Sequence, residues 1–77
     1  MVKGKQRRNE AGIAILATNI RKYRKAKKLT IQELAYLLDV DYSQVGRMER
    51  GKVNFSISLL FDLATILEVG PAQLLEE

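Results

Sequence analysis

Apolar residues recur along most of this chain at the spacing of an α-helix. From Asn9 or Glu10 to about Lys27, the residues Ile13, Leu16, Ala17, Ile20 and Tyr23 share one helical face, and Arg24 stands among them as a cation. A second helix is predicted from Thr30. Thr30 followed three residues later by Glu33 is a capping box, and Leu34, Ala35, Leu37 and Leu38 follow on one face. That helix ends near Asp39. Asp41 followed by Gln44 has a similar cap spacing and opens a third helix, with Val45 and Met48 turned inward and Tyr42, Ser43, Gly46 and Arg47 on the opposite face. Only Leu38, Asp39 and Val40 separate the two caps, so the helices must cross steeply, with Val40 filling the corner.

Beyond the basic turn Arg50-Gly51-Lys52, Ser56 is placed to cap a fourth helix running from Ile57 to about Val69. Its apolar residues leave only a narrow polar stripe of Ser58, Asp62, Thr65 and Glu68, more apolar surface than one small core requires. A second buried face is expected. Gly70-Pro71 then restarts the chain as a short fifth helix, with proline at its first position and Leu74 and Leu75 available for packing.

The stretch Thr30 to Lys52, two short helices about a tight corner, resembles the helix-turn-helix of the lambda-repressor-like, Cro-type (XRE) family of bacterial and phage DNA-binding proteins. The similarity extends over about three quarters of the chain. It takes in IRKYRKAKKLT from Ile20, ELA at Glu33 to Ala35, MERGK at Met48 to Lys52, and LATILEV at Leu63 to Val69. The wording VNFSISLL, with asparagine where many repressors have proline, is similar to the restriction-modification controller proteins, small dimeric regulators of about this length.

The resemblance implies an all-α, compact five-helix domain in which helices 2 and 3 form the helix-turn-helix. It also implies an ion pair between Arg24 and Glu49 that ties helix 1 to the recognition helix. Tyr42, Ser43, Gln44, Gly46 and Arg47 occupy positions from which family members touch bases or nearby phosphates, and Lys52 and Asn54 match phosphate contacts of the family's loop. Arg50 belongs to the same basic turn. Where the family often has a phosphate-binding glutamine, this chain has Ile31, which cannot make that bond; Gln32, the Thr30 hydroxyl and the free N–H groups of the helix start are the substitutes. Lys28 and Asp39 stand where the family favours a left-handed residue, glycine or asparagine at the first and glycine at the second. Gly46 costs a helix interior about 1 kcal/mol against alanine, and either close approach to DNA or tight packing within the protein would offset it.

Charge sharpens this picture. Residues 1–28 carry ten basic side chains against one acid, Glu10, whereas residues 29–77 carry three against eight, so the net charge of +4 hides a strongly basic end. Beside a helix-turn-helix, that end reads as a phosphate-facing surface. Residues 1–8, with Lys3, Lys5, Arg7 and Arg8, are expected to be a flexible basic arm ahead of a domain at 9–77. Lys3, Lys5, Arg7 and Arg8 ahead of AGIAILA imitate a secretion signal, but Glu10 interrupts the entry and a basic run follows, so a cytoplasmic location is expected. No apolar stretch approaches the ~20 residues that cross a bilayer, and no membrane partner is expected.

The chain has no cysteine and no histidine, which removes disulfides, zinc-finger sites and histidine-based catalysis. With no Gly-rich phosphate loop and no paired carboxylates, neither an enzyme, a cofactor nor a metal site is expected. Double-stranded DNA is the expected ligand, bound by a homodimer whose interface comprises Phe61, Ile66, Val69, Leu74 and Leu75 on helices 4 and 5. The competing reading is a protein-interaction module of the same fold, such as an antitoxin whose apolar helix 4 meets a cognate toxin.

Overall fold

The computed structural model describes residues 8–77. Four α-helices, α1 (Glu10–Ala26), α2 (Ile31–Leu38), α3 (Tyr42–Glu49) and α4 (Ile57–Leu67), are followed by a 3-10 helix at Pro71–Leu75. The fifth element is therefore not an α-helix. Proline supplies a preset φ at its start, Gln73 N–H bonds back to the Gly70 carbonyl at 2.9 Å, and five residues complete the turn.

Each helix starts for a local reason. The Asn9 side chain accepts from Gly12 N–H at 2.8 Å, and Ser56 Oγ accepts from Leu59 N–H at 3.1 Å. At α2 the capping box is complete, with Glu33 N–H donating to Thr30 Oγ1 at 3.0 Å and Thr30 N–H donating to Glu33 Oε1 at 2.8 Å. Asp41 departs from expectation. It sits at the start of α3 in extended conformation, yet its side chain makes no cap bond; its backbone carbonyl accepts instead, from Gln44 N–H at 2.9 Å.

Three helix exits pass through left-handed non-glycine residues, Lys28 (φ 60°), Asp39 (φ 59°) and Glu68 (φ 59°). Glu68 ends α4 at Leu67, two residues before the expected Val69, and Val69 N–H turns back to the Ala64 carbonyl at 3.0 Å.

Ile20, Leu34, Val45, Met48, Leu63, Leu67 and Leu74 are fully buried and come from every element, so the core is one body. Each such side chain contributes on the order of 1.5–3 kcal/mol by leaving water. Two residues depart from expectation in opposite directions: Leu37, expected on the inner face of α2, is half-exposed on its outside, and Leu74, assigned to the dimer surface, is fully buried in the core. The same segment is held by the buried Asn19 of α1, which donates Nδ2 to the Leu74 carbonyl at 2.9 Å and to that of Glu76 at 2.7 Å. Among the described residues, no buried side-chain nitrogen or oxygen lacks a hydrogen-bond partner, and no helix is long and apolar enough to cross a membrane.

Candidate nucleic-acid interface

The inner face of α3 fixes its outer one. Val45 and Met48 are buried against the core, which leaves Tyr42, Ser43 and Arg47 exposed along the opposite side. Tyr42 is 60% exposed despite its size. Gln44, at the edge, is half-buried and accepts from Arg47 Nη2 at 3.0 Å, so these two side chains present one joined polar unit. Gly46 lies on the same side but is buried, covered by the exposed Arg50.

The far end of α3 is held by Arg24 and Glu49. Arg24 Nε and Nη2 donate to Glu49 Oε2 and Oε1 at 2.6 and 3.0 Å, and Arg24 Nη1 donates to the Leu29 carbonyl at 2.8 Å. Both side chains are enclosed, at 9% and 6% exposure. The hydrogen bonds to Glu49 push the guanidinium pKa above its ordinary value, against the opposing effect of burial. The pair thus joins α1, the turn at Leu29 and the end of α3 at one point.

At the first turn of α2, Thr30 and Gln32 are exposed, while Ile31 packs against the core. That packing accounts for an apolar residue at this place. The Thr30 hydroxyl oxygen is engaged as an acceptor in the capping box and keeps its proton to donate. Beyond α3, Gly51 takes φ 71°, Lys52 N–H returns to the Arg47 carbonyl at 2.9 Å, and the Lys52 and Asn54 side chains lie at the surface.

The cations of α1 divide into two groups. Arg21, Lys22 and Lys25 are exposed, with Lys22 Nζ 5.1 Å from the Tyr23 ring centroid. Arg24 is enclosed and committed to Glu49, so it is not open to a phosphate, and Lys27, just past the helix end, pairs with Glu68 at the surface. Lys3, Lys5 and Arg7 of the expected arm lie outside the described residues. Arg8, the last residue of that arm, donates Nε to Glu10 Oε2 at 2.7 Å and Nη2 to the Gly51 carbonyl at 3.4 Å. The bond from Arg8, and more weakly the charges of Arg8 and Lys52, hold the Glu10 carboxyl below its usual range.

Sequence reasoning missed the Arg8–Gly51 contact, the Lys27–Glu68 pair and the Asn19 clamp. Asn19 carried a signal, since it falls between Leu16 and Ile20 on the buried face of α1. Of the residues assigned to a dimer surface, Phe61 and Leu75 are 53% and 51% exposed, Ile66 and Val69 are half-buried against the core, and Leu74 is withdrawn. Ile57, one turn before Phe61, is exposed too.

Comparison with known proteins agrees with this geometry. The helix-turn-helix family model HTH_3 matches residues 20–74. The structure is similar to the restriction-modification controller protein C.AhdI from Aeromonas hydrophila, with 38% identity over 83% of this chain and 97% of that one at a TM-score of 0.76. It is similar to the hypothetical transcription factor NHTF from Neisseria, with 30% identity over 97% and 87% of the two chains at a TM-score of 0.80. The clp gene regulator ClgR from Corynebacterium glutamicum shares 28% identity over 82% and 67% of the chains, at a TM-score of 0.78. No curated protein matches the chain. A family model spanning most of the sequence, on a fold that exposes one face of α3, places the chain in the HTH_3 family of helix-turn-helix, DNA-binding transcriptional regulators.

Proposed function

We propose that this protein is a sequence-specific regulator that binds an inverted-repeat operator as a homodimer, with α3 in the major groove. The observation that carries the reading is the division of α3. Its inner residues are locked in the core and its end is clamped by Arg24–Glu49, while Tyr42, Ser43 and the Gln44–Arg47 unit stand outward. A rigid helix that offers a guanidinium and an aromatic ring suits a guanine edge and a thymine methyl. Arg50, Lys52, Asn54, Thr30 and Gln32 flank it as phosphate contacts, with Arg21, Lys22 and Lys25 of α1 adding longer-range attraction.

Dimerisation is supported by Ile57, Phe61 and Leu75, large apolar side chains left at the surface of a small domain. Two recognition helices related by a dyad would enter successive grooves about 34 Å apart, which calls for half-sites roughly 10 bp apart. Selection of bound duplex from a random pool tests this. An enriched inverted repeat, bound at least ~10³ more tightly than scrambled duplex and weakening steeply with salt, is expected. Absence of any enriched sequence opposes it.

The same exposed apolar residues also suit a foreign protein, such as the toxin partner of an antitoxin. A chain that remains monomeric at high concentration and selects no duplex would favour that second reading.

A further inference from the structure

Gly46 occupies the interior of α3, where glycine is a poor choice, and its backbone does not require it: Gly51, not Gly46, is the glycine with positive φ. What its missing side chain makes room for is a neighbour. A Cβ at position 46 would lie 3.0 Å from Arg50 Nη1, 3.8 Å from Arg50 Cζ and 3.9 Å from Arg50 Nη2. The three nearest atoms all belong to one guanidinium.

Arg50 follows one helical turn later, with its N–H bonded to the carbonyls of Gly46 and Arg47 at 3.2 Å each. From there its side chain runs back along the helix and brings its guanidinium, Nη1 foremost, into the space a side chain at Gly46 would fill. That explains why Gly46 is buried on an otherwise exposed face. The fold-back carries a positive charge from the end of α3 back over Gly46, toward the middle of the helix. No ion pair engages Arg50 among the described residues, so the seat is made by space rather than by a carboxylate.

We propose that Gly46 is a positioning residue: the missing side chain seats the Arg50 guanidinium on the DNA-facing side of α3, where it contacts the duplex alongside Arg47. This rests on the DNA-binding reading above and gives it a second arginine at the centre of the helix. A guanidinium seated over the helix at Gly46 is preorganised for a two-bond contact, whereas the same side chain displaced toward solvent must be ordered on binding. Gly46 then acts through Arg50, and has no value to DNA binding without it.

A mutant cycle on the selected duplex tests this. Gly46→Ala shifts the guanidinium off its seat by at least a few tenths of an ångström while improving helix propensity, so the melting temperature holds or rises and affinity falls up to about tenfold, within the range for one weakened arginine contact. Arg50→Ala weakens binding by at least as much. In the Arg50→Ala background, Gly46→Ala changes affinity less than about twofold, because nothing remains to displace. An equal loss in both backgrounds would mean that Gly46 itself meets the DNA, and overturns the proposal. So would an unchanged affinity in the otherwise native protein, or unfolding of the Gly46→Ala variant. A native protein that binds no duplex would overturn the DNA reading itself; native binding with an additive cycle overturns only the seating of Arg50.

Discussion

Arg24 and Glu49 meet through two parallel hydrogen bonds, 2.6 and 3.0 Å long, that connect the last turn of α1 to the last residue of α3. Because both side chains are enclosed, the pair is more important for what its loss leaves behind than for its net attraction. Arg24→Met strands the Glu49 carboxylate in a site with little water. The expected cost is about 3 kcal/mol, or on the order of 15 °C in melting temperature for a domain of this size. The double variant Arg24→Met with Glu49→Leu should regain most of that stability. Thermal melts of the two variants check this, and equal destabilisation by both would show that the clamp's net attraction matters.

Lys28 holds a left-handed backbone with φ 60° at the exit from α1. Lys28→Gly removes the strain of a Cβ there but gains freedom in the unfolded chain, and the balance should stabilise by about 0.5–1 kcal/mol. Gly51→Ala, at φ 71°, should have the opposite sign. Denaturant titrations of both variants measure the two effects side by side.

Lys27 bonds to Glu68, and that hydrogen bond first, with the lysine charge second, holds the Glu68 carboxyl below its ordinary value of 4.5. A carboxyl whose pKa is depressed by folding adds stability that is present above its unfolded pKa and is lost as pH falls through the folded one. Glu68→Gln should therefore melt slightly below the native protein at neutral pH and together with it near pH ~3. A difference that persists unchanged into acid would contradict the assignment.

The two C-terminal leucines should separate folding from association. Phe61→Glu and Leu75→Glu alter exposed positions and should leave the domain folded while shifting a dimer toward monomer in sedimentation. Leu74→Ala opens a hole in the core and should cost about 2–5 kcal/mol. A folded, dimeric Leu74→Ala protein of native stability would place that side chain wrongly.

How far the sequence could be read follows from which interactions are local. The Thr30–Glu33 capping box spans three residues and is visible as a spacing, and the inward Val45 and Met48 follow from helical period alone. The left-handed exits at Lys28 and Asp39 became legible through the resemblance. Glu68 did not, because Gly70-Pro71 two residues later gave a stronger stop signal for α4. Nor could a pair such as Leu74-Leu75 declare which member faces inward. The choice depends on contacts distant in sequence, among them the hydrogen bond to the Leu74 carbonyl from Asn19, 55 residues away. Asp41 shows the converse, a correct spacing whose side chain goes unused as a cap. At the candidate site, residue types on α3 were readable, but the fold of Arg50 over Gly46 depends on rotamer and space that no pattern encodes.

The most direct test of the recognition role of α3 is Arg47→Glu, titrated against the selected duplex beside the native protein after melting and sedimentation show the same fold and assembly. Arg47 is exposed and its side chain bonds only to Gln44 among the described residues, so the fold should tolerate the change. The account predicts a loss of at least about 100-fold in specific affinity, from a lost contact and a new repulsion with phosphates. Native affinity in a folded Arg47→Glu protein would contradict it.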